Sequence, residues 1–112
     1  MKTKPSTILR DPAKVPKPLS NPAAAIIRDT LEHHGISQVE AARAMNISTA
    51  QLSDVIRQRK GMSATMALRF QACFGTPGDL LIRLQAQHDF QKAYHSKGPD
   101  IRREVKALAV SP

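Results

Sequence analysis

Thr49, Ala50, Ser53, Asp54 and Arg57 follow one another at steps of one, three, one and three residues, which gathers them on one face of an α-helix. Their chemistry is that of recognition. The Thr49 and Ser53 hydroxyls both donate and accept hydrogen bonds, Ala50 and the Thr49 methyl offer small apolar contacts, and Arg57 carries a planar fork of donors. A face of this kind reads the edges of base pairs: hydroxyls to any base, methyls to the thymine methyl, arginine to guanine or a phosphate. Asp54 stands apart, because phosphates repel a carboxylate. It must accept from a cytosine amino group or hold Arg57 in place, and the second role is the expected one.

Phosphate contacts need donors at the edge of such a face. Gln38 opens the preceding helix, where exposed backbone N–H groups can grip an anion. Ser48 and Gln51 open the reading helix itself, and Arg59 and Lys60 follow it, which makes all five candidates for phosphate contact. By itself the run Arg57-Gln58-Arg59-Lys60 reads more readily as a solvated loop at a helix end. The helix pair before it tilts the reading towards DNA.

Other chemistries find no support. His33, His34, His88 and His95 have no Cys, Asp or Glu at metal-ligand spacing, and the chain holds neither a Ser-His-Asp set nor a glycine-rich phosphate loop. No enzyme activity, metal or cofactor is expected. Cys73 is the single cysteine, so an intramolecular disulfide is impossible. It falls among Ala67, Phe70 and Phe74 and is expected to be a small buried residue.

The elements that must position these residues follow from caps and periodicity. Asn21-Pro22 opens a first helix with Ile26, Ile27 and Leu31 facing a core, and His33-His34-Gly35 closes it. Ser37 with Glu40 three residues on predicts a capping box for a second helix, with Ala41, Ala42 and Met45 inward. Asn46 fills the turn, where left-handed geometry is required and a short polar side chain tolerates it. Ser48 caps a third helix with Leu52, Val55 and Ile56 inward. Ser63 caps a fourth carrying Met66, Ala67, Phe70 and Phe74 up to Gly75. After Thr76-Pro77-Gly78 a fifth helix is expected from about Asp79 to Tyr94, burying Leu80, Leu81, Leu84, His88 and Phe90. Ser96 to Asp100 should break it, leaving Ile101 to Val110 as a short terminal helix or a frayed end. The fold class is all-α, with five helices around a helix-turn-helix.

The 112 residues divide into a basic proline-rich arm over 1–20, a helical domain over 21–96 and a tail over 97–112. Pro5, Pro12, Pro16 and Pro18 prevent a continuous helix in the arm. It reads as disorder, as a phosphate-contacting arm, or as a segment that orders on a partner. Three Phe, one Tyr and no Trp leave the core to aliphatic side chains, which suits small packed helices. Seventeen Lys and Arg against nine Asp and Glu give +8. Such a balance suits a nucleic-acid partner and equally an acidic membrane surface or plain solubility. No apolar run approaches the roughly 18 residues of a membrane span, and no apolar stretch follows the N-terminal lysines as a secretory signal would require. A cytoplasmic protein without membrane partner is expected.

Three phrases then carry a family resemblance: Gly35-Ile36-Ser37-Gln38-Val39-Glu40-Ala41-Ala42-Arg43-Ala44, Ser48-Thr49-Ala50-Gln51-Leu52-Ser53-Asp54-Val55-Ile56, and Lys60-Gly61-Met62-Ser63-Ala64-Thr65-Met66-Ala67-Leu68-Arg69-Phe70. Residues 22–94 resemble the Xre/Cro-type helix-turn-helix group and, through Phe74-Gly75-Thr76-Pro77 and Leu84-Gln85-Ala86-Gln87-His88-Asp89-Phe90, the HigA/VapI-type antitoxins within it. The sequence departs from that pattern at Asn21-Pro22-Ala23-Ala24, at Asn46 in place of the usual glycine, and in lacking the fifth-helix Trp. The resemblance implies binding to double-stranded operator DNA and repression of the chain's own operon. It also implies a homodimer through the last helix, with Leu80, Leu81, Leu84 and His88 as its candidates, and a RelE/HigB-like ribonuclease toxin as partner. The competing expectations are a stand-alone phage- or plasmid-type regulator without a toxin, and a protein-binding module whose charge serves solubility.

Overall fold

The computed structural model describes residues 15–17 and 20–108, so most of the arm expected over 1–20 and the last residues of the tail lie outside the described part. Among the described residues five helices follow in chain order: α1 Pro22–His34, α2 Gln38–Met45, α3 Thr49–Ile56, α4 Ala64–Phe74 and α5 Gly78–Glu104. Among the described residues there is no strand, and the all-α expectation with five helices holds.

The first four helices begin where their caps dictate. The Asn21 side chain accepts from the Ala23 N–H at 3.0 Å with Pro22 at the first helical position, and Ser63 accepts from the Met66 N–H at 3.1 Å. Each cap of this kind is worth about 1 kcal/mol. Asn46 sits at φ 56, ψ 47, the left-handed turn expected of it. Its neighbour Ile47 donates back to the Ala42 carbonyl at 3.0 Å, which satisfies the end of α2. Arg69 of α4 adds a bond to the Met45 carbonyl at 3.2 Å and so ties the helix pair to the rest of the domain. One cap departs from expectation. The Glu40 carboxylate accepts from the Ser37 hydroxyl at 3.3 Å, while a complete capping box forms on α3 instead, between Ser48 and Gln51.

The core draws one large side chain from each of four helices: Ile27, Leu52, Phe70 and Leu81 are all fully buried. Burying such a side chain contributes about 1.5–3 kcal/mol. Ala41 and Ala42 are buried beside them, and their small size lets α2 approach α3 closely. Cys73 is exposed, which corrects the expectation of burial. Cys73 projects about 60° from Phe70 and about 120° from Ala67, which places it at the edge of the buried stripe, one residue before α4 ends.

The fifth helix departs furthest from expectation. Its start has no side-chain cap from Pro77; the Gln71 side chain accepts from the Gly78 N–H at 2.8 Å in its place. A Cβ at Gly78 would lie 2.9 Å from the Ala67 carbonyl oxygen, so glycine permits this close crossing of α4 and α5. The helix does not break at Ser96 to Asp100 but runs on to Glu104 with Pro99 inside it. The boundary placed at residue 96 therefore falls within α5. Proline removes one backbone donor, and this end of the helix is held by a contact to Val15 and by one within the helix. His95 donates from Nε2 to the Val15 carbonyl at 2.8 Å, Val15 and Tyr94 are buried, and the Arg102 guanidinium lies 5.2 Å from the Tyr94 ring centroid. Phe90, expected on the buried side, is 55% exposed.

Candidate nucleic-acid interface

The helix pair α2–α3 presents the predicted face. Thr49, Ala50 and Arg57 are exposed, while Ser53 and Asp54 are half-buried one turn along. Leu52 and Val55 anchor the opposite side of α3 in the core. The structure thus brings all five candidate base-contacting residues to one surface. Arg57 occupies the C-terminal cap of α3, so it lies about two turns from Thr49 along the axis.

The phosphate candidates surround this face. Gln38 is the first residue of α2 and half-buried, whereas Ser48, Gln51, Arg59 and Lys60 are exposed. Ser48 and Gln51 are engaged with each other: the Gln51 N–H donates to Ser48 Oγ at 3.0 Å and the Ser48 N–H to Gln51 Oε1 at 2.8 Å. That reciprocal box fixes the start of α3. It leaves the Ser48 hydroxyl hydrogen and the Gln51 amide N–H groups as donors.

Asp54 does not hold Arg57. Its carboxylate pairs with Lys60 Nζ at 3.7 Å, and its carbonyl accepts from the backbone N–H groups of Arg59 at 2.8 Å and Lys60 at 3.3 Å. The chain turns back after α3 through Gln58 at φ 61, and this reversal brings Lys60 rather than Arg57 to the carboxylate. Asp54 therefore organises the basic loop and meets a cation of its own.

A polar network behind that loop escaped the sequence reading. The Gln85 side chain of α5 accepts from the Met62 N–H at 2.7 Å and donates to the Met62 carbonyl at 2.9 Å. The Asn21 N–H donates to Gln58 Oε1 at 2.8 Å, and Asn21 Nδ2 lies 3.5 Å from Gln85 Oε1. Asn21 signalled only a cap, and Gln85 carries no local signal because its partner lies 23 residues away.

The four candidate dimerisation residues divide. Leu80, Leu84 and His88 are half-buried on α5, but Leu81 is 0% exposed and belongs to the protomer's own core. It is withdrawn as a dimer contact. The exposed apolar side chains of α5 and beyond are instead Phe90, Ile101, Val105 and Leu108. Among the described residues no group of three or more His, Cys, Asp or Glu is placed to hold a metal ion. Among them no helix is long and apolar enough to cross a membrane.

Comparison with known proteins places this geometry. No family model matches the chain. Virulence-associated protein A' of Dichelobacter nodosus is 31% identical over 80 residues, spanning 69% of this chain and 70% of that protein. Among solved structures, the antitoxin GraA superposes with a TM-score of 0.75 at 29% identity, covering 83% of this chain and 99% of GraA. The Pseudomonas aeruginosa antitoxin HigA, solved with the higBA promoter, superposes with a TM-score of 0.71 at 32% identity, covering 78% of this chain and 96% of that one.

Proposed function

The chain belongs to the HigA/VapI-type antitoxins of the Xre/Cro helix-turn-helix group, and on that premise we propose that it is a homodimeric repressor of its own operon that neutralises a ribonuclease toxin. Each subunit lays α3 in a major groove, with Thr49, Ala50, Ser53 and Arg57 towards base edges and Asp54 steadying the loop behind them. Gln38, Ser48, Gln51, Arg59 and Lys60 hold the flanking phosphates. Two subunits joined through α5, by Leu80, Leu84 and His88, space their half-sites about 34 Å apart.

The observation that carries this reading is the exposed polar face of α3, set between two clusters of phosphate-seeking donors. The likeness to an antitoxin solved with its promoter supports it. The test is a gel shift on a duplex spanning the chain's own promoter. Thr49→Ala with Arg57→Ala should weaken selective binding by about 10- to 100-fold. Equal affinity and selectivity in the double variant would remove α3 from the groove.

The toxin reading rests on family membership and has its own test. Co-expression with the ribonuclease-like product of the adjacent frame should restore growth. No rescue, or no such frame, would favour a stand-alone regulator. A toxin that grips RNA should itself be basic, so the basic arm is assigned to DNA rather than to the toxin. Removing residues 1–20 should lower promoter affinity and leave neutralisation intact.

A further inference from the structure

We propose that Gln85, together with Asn21 and Gln58, fastens the two ends of the DNA-contacting loop whose middle Asp54 holds, so that α5 as well as α3 sets where Arg59 and Lys60 point. The proposal rests on the reading of that loop as a phosphate contact. Residues Gln58 to Gly61 belong to no helix, and the loop starts from the left-handed Gln58 at φ 61. An untethered loop would lose its conformational freedom on binding, at the expense of affinity.

The network fastens both ends. At the start, Gln58 Oε1 is held by the Asn21 N–H at 2.8 Å. At the end, the primary amide of Gln85 meets both backbone polar groups of Met62, at 2.7 and 2.9 Å. Only a side chain offering one acceptor and one N–H donor side by side can satisfy that pair. A glutamate would set a carboxylate oxygen against the Met62 carbonyl, and a methionine would leave both groups unpaired. Gly61 completes the fit, since a Cβ there would lie 3.3 Å from Gln85 Nε2. Gln85 also follows Leu84 directly, so the residue that orders the loop sits beside the proposed dimer seam. Joining of two subunits and ordering of the loop thereby share one segment of α5.

A double-mutant cycle separates positioning from general stability. Gln85→Met should lower affinity for the promoter duplex about tenfold in the native background, and by less than about twofold when Arg59→Ala and Lys60→Ala are already present. Exchange of the Met62 amide should quicken in the same variant. Equal losses in both backgrounds, or no loss in the native one, would overturn the proposal. If the Arg59→Ala/Lys60→Ala protein binds as tightly as the native protein, the phosphate reading of the loop fails first and takes the proposal with it. Gln58→Gly supplies a second route should Gln85→Met fail to fold. It keeps the left-handed turn without a Cβ and drops the Asn21 bond. It should cost about threefold in affinity, vanishing in the Arg59→Ala/Lys60→Ala background, and an unchanged affinity would overturn the tether.

Discussion

The helix α3 spans eight residues and α5 spans twenty-seven, and the two are helical for different reasons. The short one is specified where it stands. A reciprocal Ser48–Gln51 box starts it, Leu52 and Val55 bury one face, and the opposite face stays free for a partner. The long one lacks a cap of its own, contains Pro99, and is ordered by groups borrowed from elsewhere: Gln71 at its start, Val15 near its end. A reading surface gains from being autonomous, because a partner can press on it without unsettling the fold. A scaffold helix gains from being entangled, because it must hold α1, α4 and the basic loop in register.

This contrast can be broken at four points. Leu81→Ala should have the largest effect, about 2–5 kcal/mol of stability, seen as a lowered melting temperature. A change in dimer affinity alone would return Leu81 to the interface. Gly78→Ala should cost about 1–3 kcal/mol, because the added Cβ meets backbone of α4 rather than a movable side chain. A neutral or stabilising outcome in a denaturant titration would mean that α5 is not pinned there. Ser48→Ala should cost about 1 kcal/mol and, on the proposed function, loosen promoter binding with it, since the cap orders α3. Lys60→Ala should leave stability within about 0.5 kcal/mol, as expected of a loose ion pair, 3.7 Å long, whose lysine is exposed. It should also lower the slope of log affinity against log salt by about one. An unchanged slope would show that Lys60 touches no phosphate.

The same contrast explains what could be read in advance. Caps and turn residues act over three or four positions, so Asn21, Ser48, Asn46 and Ser63 place α1 to α4 and the exposed face of α3 correctly. Cys73 is exposed although it borders the apolar stripe, because it falls in the last turn of α4, where spacing alone does not say what covers a side chain. The partner of Asp54 depended on the chain reversal at Gln58, a left-handed residue that is neither glycine nor asparagine. The Gln85 amide and the run of α5 through Pro99 depend on groups brought close only by the completed fold.

The His95–Val15 bond closes a loop of 80 residues, nearly the whole described chain. Closure over that separation carries a large entropic cost and becomes favourable only once the intervening helices are packed. This clasp is therefore among the last contacts to form and the first to open in native-state exchange. Order near the end of the chain is thus conditional on its beginning: trimmed from the front through Val15, the molecule would fray at the back, beyond Tyr94, with α3 untouched.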